Sequence, residues 1–305
     1  MSENKVSGSQ LSAGASQPAL SSSTEANSQL LSATSLETGI VLLLDKPLTW
    51  TSFDVVRKVK NTLRIKKIGH AGTLDPLATG LLILCTGKKT KEIDLIQAQE
   101  KEYTGTFRLG ETTPSFDLET AVDLVRPYAQ LTAEEIQAAT QPFTGTIQQT
   151  PPIFSAVKVD GKRAYELART GQEAVIKSKT VDIKVFELTR IEPPEIDFRV
   201  VCSKGTYIRS LARDLGEALG CGAHLTRLVR TRIGEYRVED AFTMEAIEAL
   251  RPPRAEGEAR PRLDRPRTAP KRMGLEYYAA LQADALAAKE HHAPSPDGTA
   301  AETLE

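Results

Sequence analysis

The sequence has few of the residues and segments that mark several protein classes. Its 305 residues include only three cysteines, whose separations match neither metal-ligand spacing nor a secreted disulfide framework, so we expect a reducing, cytoplasmic environment. No cluster of histidine, cysteine and carboxylate residues has ligand spacing, and we therefore expect no metal or other cofactor. No window approaches the roughly 18–20 apolar residues that a membrane helix needs, and the N-terminus lacks the apolar core of a signal peptide. These absences favour a soluble globular protein without a membrane partner.

Net charge is also close to zero. The formal value of −1 at pH 7 does not indicate a nucleic-acid-binding protein, so such a function must depend on local charge. Local charge is strongly biased between Val55 and Lys91, where Asp75 is the single acidic residue among nine basic ones. A second group of basic residues runs from Lys158 to Arg169. Both groups suit a ligand that carries phosphates.

Composition divides the chain into three parts. Residues 1–38 are a low-complexity mixture of Ser, Ala, Gln and Thr with little to bury, and we expect them to be disordered. Residues 251–305 begin with a Pro-, Arg- and Ala-rich stretch and form a second tail. We expect this tail to be disordered and interpret it as a solvated linker rather than a dedicated binding arm. Residues 39–250 are therefore expected to form the folded domain.

Strands and helices alternate irregularly within this domain. Apolar runs predict buried strands within residues 39–47 and 81–87, and alternating runs predict an antiparallel pair within residues 180–192 and 195–205. This order favours an α+β fold, with a mixed, mostly antiparallel sheet and flanking helices and loops, over a doubly wound parallel sheet.

Two helices are predicted from apolar spacing. The first follows a Thr51/Ser52 N-cap, and its apolar positions form one face, made of Phe53, Val56, Val59 and Leu63. The second, over residues 206–220, turns an apolar face inward and places Arg209 in its first turn. Because the helix dipole disfavours a cation in a first turn, Arg209 is expected to face a buried carboxylate.

The stretch GHAGTLDPLATG, residues 69–80, places Asp75 in a loop, since Pro76 disfavours a helix before it and lacks a backbone donor. An aspartate in such a loop ordinarily bonds its own backbone in a turn, and that interpretation is favoured when the motif is taken alone. Three features favour a catalytic site instead. They are the basic surroundings, His70 five residues upstream, and the carboxylate that Arg209 is expected to face.

Several motifs in order resemble the TruB-type tRNA pseudouridine synthases, which isomerise the T-loop uridine at position 55 of tRNA. The resemblance runs through most of residues 40–240. It is carried by DKPLTWTS, GHAGTLDPLATGLL, KEYTGTFRLG, TPPIFSAVKVDGKRAYELARTG, KGTYIRSLARDLG and HLTRLVRTRIG. It implies that residues 39–250 have the pseudouridine synthase fold and form a catalytic domain that flips its target base out of the RNA.

The resemblance also implies roles for residues that match the family motifs. Asp75 would act as nucleophile or base at the target ribose while the uracil detaches, rotates and rejoins through carbon, and Arg209 would hold it in place. Tyr103 would stack on the flipped uracil, near the ring carbon that loses a proton. Tyr207 and Leu228 would line the pocket. Without the motifs, Tyr103 would be an ordinary strand aromatic and Leu228 a core residue.

Further residues are assigned to RNA binding by the same resemblance. His70 would occupy the space that the flipped base leaves, or else be a structural histidine. Asp117 would lie near the loop that admits RNA, or else be a turn acid. A solvated helix face explains each basic residue of the second group individually, but together four of them would contact phosphates, namely Lys158, Lys162, Arg163 and Arg169.

Two departures from the family pattern stand out. Thr49 occupies a position where the family usually has glycine, and the chain after Leu250 does not resemble the small C-terminal RNA-binding domain that many members carry. With little protein left to hold distant parts of a tRNA, we expect the T arm of tRNA to be the main partner. We expect no obligatory protein partner and a monomer.

Two other function classes remain open. A nucleic-acid-binding module could use this fold without catalysis, but it would have no need of Asp75, Tyr103 and Arg209 together. A glycoside hydrolase normally uses two carboxylates across the scissile bond, and the Asp75 motif supplies one. Product analysis separates the three classes, because they yield pseudouridine, neither product, and free uracil respectively.

Overall fold

The computed structural model describes residues 33–155, 157–159, 161–169 and 175–252. Most of residues 1–38 and nearly all of residues 251–305, which the sequence predicts to be disordered, lie outside these ranges. Within the described residues, no helix combines the length and apolar character needed to cross a membrane.

The strands of the described chain are β1 (Val41–Lys46), β2 (Ile68–His70), β3 (Ala78–Thr86), β4 (Lys101–Leu109), β5 (Glu111–Thr112), β6 (Leu124–Val125), β7 (Gly145–Gln149), β8 (Lys158–Val159), β9 (Lys162–Arg163), β10 (Lys179–Glu192), β11 (Glu195–Cys202), β12 (Ala223–Ile233) and β13 (Tyr236–Arg237). Nine of these described strands form one sheet in the order β1–β3–β12–β4–β11–β10–β7, with β2 paired to β3 and β13 paired to β12. The pairs β5–β6 and β8–β9 are separate hairpins. Of the described pairings in the large sheet, only that of β3 with β12 is parallel. The predicted mostly antiparallel α+β fold is confirmed.

The helices of the described chain are α1 (Ala33–Thr38), α2 (Ser52–Thr62), α3 (Ile93–Ala98), α4 (Ala133–Ala138), α5 (Ala164–Arg169), α6 (Ile208–Ala218) and α7 (Met244–Ala249), with short 3₁₀ turns at Gly87–Glu92, Gln141–Phe143 and Val238–Asp240. α1, α2 and α7 cover one face of β1 and β3 through an apolar cluster that includes Leu36, Val55 and Ile247. α6 packs on the central strands through a second cluster, in which the rings of Phe107 and Phe198 stack at 4.1 Å.

The strands β1 and β3 are buried on both faces. Leu42 and Leu82 face the helices α1, α2 and α7, whereas Leu43 and Ile83 belong to a third cluster on the opposite face. Burial on both faces explains why these strands are continuous apolar runs in the sequence instead of alternating ones.

The start of α2 agrees with its predicted cap. The Thr51 side chain accepts the Asp54 N–H at 3.0 Å, and the Asp54 carboxylate accepts the Thr51 N–H at 3.2 Å. This reciprocal capping box satisfies two backbone donors that the helix leaves unpaired.

The predicted buried face of α2 is partly wrong. Phe53 is 67% exposed, while Val55 is fully buried. Ser52, the first residue of the helix, also faces inward, since its hydroxyl bonds both the N–H and the carbonyl of Leu74. The buried positions of α2 are 52, 54, 55, 59 and 62.

The N-terminal boundary of the folded domain differs from the predicted one. Ala33–Thr38 form α1, Leu36 is 6% exposed, and the Gly39 N–H donates to the Ser35 carbonyl at 2.8 Å. The folded domain therefore begins before Gly39. One buried leucine is enough to dock a helical turn, but it is hidden when composition is averaged over the mostly polar residues 1–38.

Candidate active site

The loop at residues 71–77 joins β2 to β3 and carries Asp75. β2 pairs antiparallel with the far half of β3, so the chain doubles back and brings the loop to the start of β3. There Ala78 lies beside Leu228 of β12 in parallel register. A small cleft opens at this point, and Asp75, Leu77, Leu225 and Leu228 all line it. Leu228 and Asp75 therefore line the same cleft.

Arg209 lies next to Asp75, which is only half-buried, whereas the buried carboxylate that the helix dipole argument predicts is Asp117. Its Nε is 2.9 Å from Asp75 Oδ2, with the arginine side chain 3% and the aspartate side chain 40% exposed. The N–H does not point along this line, so the contact is an ion pair rather than an aligned hydrogen bond. Nη1 and Nη2 donate to the carbonyls of Ser115 and Phe154 at 3.3 and 2.9 Å. The guanidinium is therefore fixed by three separate segments of the chain.

Asp117 brings a second carboxylate to the same guanidinium. Its Oδ2 is 3.6 Å from Arg209 Nε, and its side chain is 6% exposed. Burial raises the pKa of Asp117 to about 6, although Arg209 acts in the opposite direction. Burial also disfavours the charge of Arg209, but Asp75 and Asp117 outweigh it, so its pKa is raised. The structure thus places Asp117 in contact with Arg209, which neither sequence interpretation of this residue predicts.

The two predicted site tyrosines belong to different elements, Tyr103 to β4 and Tyr207 to the start of α6. Tyr103 of β4 is 8% exposed, and burial raises its pKa. Tyr207 is the N-cap residue of α6, and Lys179 Nζ lies 4.5 Å from the centre of its ring. Burial raises the pKa of Tyr207 as well, and the charge of Asp75 adds to the effect at both rings. Both phenols are therefore neutral at pH 7 and near Asp75.

His70 is the last residue of β2, opposite Leu84 of β3, and so lies at the entrance to the Asp75 loop. Burial lowers the pKa of its imidazole, and a backbone hydrogen bond at Gly72 acts in the opposite direction. The half-buried ring is therefore neutral at pH 7.

The basic residues expected to contact phosphates belong to one segment, formed by β8, β9 and α5, and they are Lys158, Lys162, Arg163 and Arg169. Their side chains lie outside the described part of the chain. Backbone contacts connect the segment to the site, because the Tyr165 N–H donates to the Ser155 carbonyl at 3.0 Å, and the adjacent Phe154 carbonyl accepts from Arg209.

Lys46 is a site residue to which the sequence analysis assigned no role. It is fully buried, and its Nζ donates to the carbonyls of Pro47, Trp50 and Pro76 at 2.9, 2.7 and 3.3 Å. Burial lowers its pKa to about 7, although the charge of Asp75 acts in the opposite direction. A lysine at the end of an apolar strand, within the motif DKPLTWTS, was the available signal.

The charged groups of the described site are protein side chains. No group of three His, Cys, Asp or Glu side chains in these ranges is arranged to hold an ion. The charges at the described site come from protein groups, with Asp75 and Asp117 facing Arg209.

Two sequence models of one protein family match adjacent parts of the chain. The model described as TruB family pseudouridylate synthase (N terminal domain) matches residues 60–208. The model described as tRNA pseudouridylate synthase B C-terminal domain matches residues 209–265. The second match begins inside α6 and runs past Leu250. It includes β12, and in the sheet β12 lies between β3 and β4, which belong to the first match. The two matched parts therefore share one sheet.

Individual relatives agree with these matches. The chain is 57% identical over 216 residues to tRNA pseudouridine synthase B of Parabacteroides distasonis, covering 69% of this chain and 92% of the relative. It is 48% identical over 216 residues to the protein of the same name from Opitutus terrae, covering 71% and 90%. Among solved structures, it is similar to a chain in the crystal structure of a Cbf5-Nop10-Gar1 complex, with 32% identity and a TM-score of 0.54. The alignment covers 69% of this chain and about half, 53%, of that solved chain.

Proposed function

The chain belongs to the TruB family of tRNA pseudouridine(55) synthases, isomerases that convert uridine in tRNA to pseudouridine, and we propose that its reaction depends on Asp75. The observation that carries this proposal is the 2.9 Å contact of Asp75 with Arg209, in which the cation is 3% and the carboxylate 40% exposed. A buried guanidinium holds a neighbouring carboxylate in a defined orientation. The exposure of Asp75 leaves it accessible to a substrate.

The chemistry that this site must support is a transfer of the ribose from nitrogen to carbon. The N1–C1′ bond of uridine breaks, the uracil rotates, C5 bonds to C1′, the proton on C5 is released, and N1 takes up a proton, so that the product is an isomer of the substrate. Asp75 acts at the ribose, either as a nucleophile or as a base. Tyr103 stacks on the detached ring, for which a neutral phenol is suited because it brings no second negative charge close to Asp75.

The target base must leave its stack to reach Asp75, at a cost of a few kcal/mol. Leu77, Leu225 and Leu228 give the cleft beside Asp75 an apolar wall against which a flipped base packs. His70, neutral and at the entrance to the loop, is placed to occupy the space that the base leaves.

The decisive experiment compares Asp75→Asn with Asp94→Asn, an equivalent change at an exposed aspartate on α3. Tritium release from tRNA labelled at carbon 5 of uridine measures the reaction. We expect Asp75→Asn to be folded and inactive, and Asp94→Asn to retain the wild-type rate. An active Asp75→Asn protein would contradict the proposal. Free uracil as the wild-type product would indicate a glycoside hydrolase, and no product with tight RNA binding would indicate a binding module.

We further propose that the enzyme recognises the T arm of tRNA and acts as a monomer in the cytoplasm. The described cysteines are buried, unpaired thiols, which agrees with a reducing compartment. An isolated T-arm hairpin should be modified with a kcat/KM close to that of whole tRNA, and chromatography should give a monomer. A hairpin that is neither bound nor modified, while whole tRNA is, would mean that another surface reads the rest of the molecule.

A further inference from the structure

Each carbonyl from residue 72 to residue 76 accepts a hydrogen bond, so the backbone on both sides of Asp75 is held in place. The carbonyls of residues 74–76 accept, in order, from Ser52 Oγ, from the Ala78 N–H, and from Lys46 Nζ together with the Thr49 N–H. The two carbonyls before them, at Gly72 and Thr73, both accept from Arg230.

Arg230 lies on β12 and is 1% exposed. Its Nη2 and Nη1 donate to the Gly72 and Thr73 carbonyls, each at 3.2 Å, and its Nε donates to the Leu81 carbonyl at 2.8 Å. Leu81 follows the loop on β3. One planar guanidinium therefore ties the backbone before and after Asp75 to the same strand.

This arginine has no evident role as an ion-pair partner, since the described residues place three carbonyl oxygens and the Tyr103 hydroxyl, but no paired carboxylate, at its guanidinium. A buried cation without a counter-ion is an inefficient way to stabilise a sheet, because apolar side chains of similar volume serve as well or better. The fork of the guanidinium, however, matches several acceptors at once. Arg230 also lies opposite Tyr103 in the register of β12 with β4.

We propose that Arg230 is a positioning residue, which fixes the Asp75 loop relative to Tyr103 so that the carboxylate meets the ribose in one geometry. This inference rests on the proposed function of Asp75. Its effect falls on the chemical step, because a misplacement of about 1 Å can reduce a reaction rate about 100-fold. Binding of RNA depends on other side chains and should change little.

The test uses Arg230→Lys, which keeps the charge but loses the planar fork, with Arg230→Met as a more severe variant. For a T-arm hairpin we expect kcat and the single-turnover rate of Arg230→Lys to fall about tenfold or more, while Kd is nearly unchanged. The matched control is Lys101→Met. Lys101 is 5% exposed and donates to the carbonyls of Gln97 and Gln99, so its loss removes a buried cation from a different loop.

Urea unfolding curves are measured for all variants, and the assays are run at a temperature at which each variant is fully folded without urea. Arg230→Lys with the wild-type single-turnover rate would overturn the inference, as would a loss confined to Kd. An equal loss of rate in Lys101→Met would also overturn it, because general destabilisation would then explain the effect. If wild type forms no pseudouridine, or Asp75→Asn stays active, the proposed function itself fails, and that outcome is distinct from the others.

Discussion

Arg209, Arg230 and Lys46, whose pKa burial lowers to about 7, are buried around the Asp75 loop, whereas the basic residues of α2 and its neighbours are half-buried or exposed. Each buried cation donates to backbone carbonyls that the fold holds in place, and Arg209 also pairs with carboxylates. The basic residues of α2 and its neighbours pair mainly with acidic side chains that are exposed or half-buried. Removing one partner of a buried pair is far more costly than removing one partner of an exposed pair.

The region of α2 and its neighbours also carries less net positive charge than its sequence indicates. Between Val55 and Lys91 the sequence has nine basic residues and one acid, but acids just outside that window or distant from it in sequence pair with four of the nine. The pairs are Arg57–Asp54, Lys58–Glu248, Lys66–Glu37 and Lys89–Glu92. Counting charges along a sequence therefore overestimates the net positive charge of this region. Such a count also ignores burial, although burial is what makes the cations near Asp75 important.

The largest effect that this comparison predicts is that of Arg209→Ala. Loss of the guanidinium leaves Asp117 buried without its counter-charge and Asp75 without a fixed orientation. We expect stability to fall by about 3–5 kcal/mol and turnover by at least about 100-fold. Urea unfolding and tritium release measure the two effects.

Arg213→Ala is the matched control for Arg209→Ala, because it removes the same side chain one turn later on α6. Arg213 pairs with the adjacent Asp214, and both side chains are about one-fifth exposed. We expect only a small loss of stability and near-normal turnover. A folded Arg209→Ala protein with wild-type turnover would show that burial of this cation has no importance for the reaction.

Asp117→Asn tests the buried cluster through its pH dependence. Burial raises the pKa of Asp117 from 3.8 to about 6, so the folded state binds more protons than the unfolded state between pH about 4 and 6. The free energy of unfolding of wild type should therefore fall, relative to that of Asp117→Asn, as pH rises through this window, by about 1–3 kcal/mol in total. Above pH about 6 the difference should level off. Urea unfolding of both proteins at several pH values measures it, and parallel pH profiles would mean that Asp117 is already ionised in the fold at low pH.

Much of the fold and part of the site follow from the sequence. The apolar runs of β1 and β3 and the unfavourable charge of Arg209 in a first turn are local signals. The inward face of α2 was predicted only in part, since Val59 and Leu63 are buried but Phe53 is exposed, and the contact of Ser52 with a loop 22 residues away leaves no local signal. Arg230 was overlooked because its contacts with the Asp75 loop are also distant in sequence, and because it is one of several arginines in HLTRLVRTRIG. Its spacing of two from the buried Leu228 was the available signal, because alternate strand residues share a face.

Thr49→Gly should change the free energy of unfolding less than Arg209→Ala does, and should raise it instead of lowering it. Thr49 has a φ of +69°, a left-handed conformation that costs a β-branched residue about 1–2 kcal/mol, and its N–H donates to the Pro76 carbonyl at 2.9 Å. Glycine removes this strain but makes the unfolded chain more flexible, so we expect a net gain of about 0.5–1 kcal/mol. Thr49→Ala, which retains a Cβ, should gain less. Destabilisation by Thr49→Gly would show that the threonine side chain makes a contact worth more than the strain.

The smallest effect on stability is expected from Glu37→Gln, which breaks the exposed pair between Glu37 and Lys66. The two side chains are 60% and 84% exposed, so their attraction is screened by water and salt, and the urea midpoint should not change measurably. The variant frees Lys66 to attract phosphate, and we expect slightly tighter binding of a T-arm hairpin at low salt that disappears as salt is raised. Glu134→Gln, at an exposed acid on α4, changes the net charge equally without freeing a cation of the α2 region and should leave binding unchanged. If both variants tighten binding equally, net charge alone explains the gain. If Glu37→Gln shifts the urea midpoint as far as Arg209→Ala does, burial is not what separates the two groups of cations.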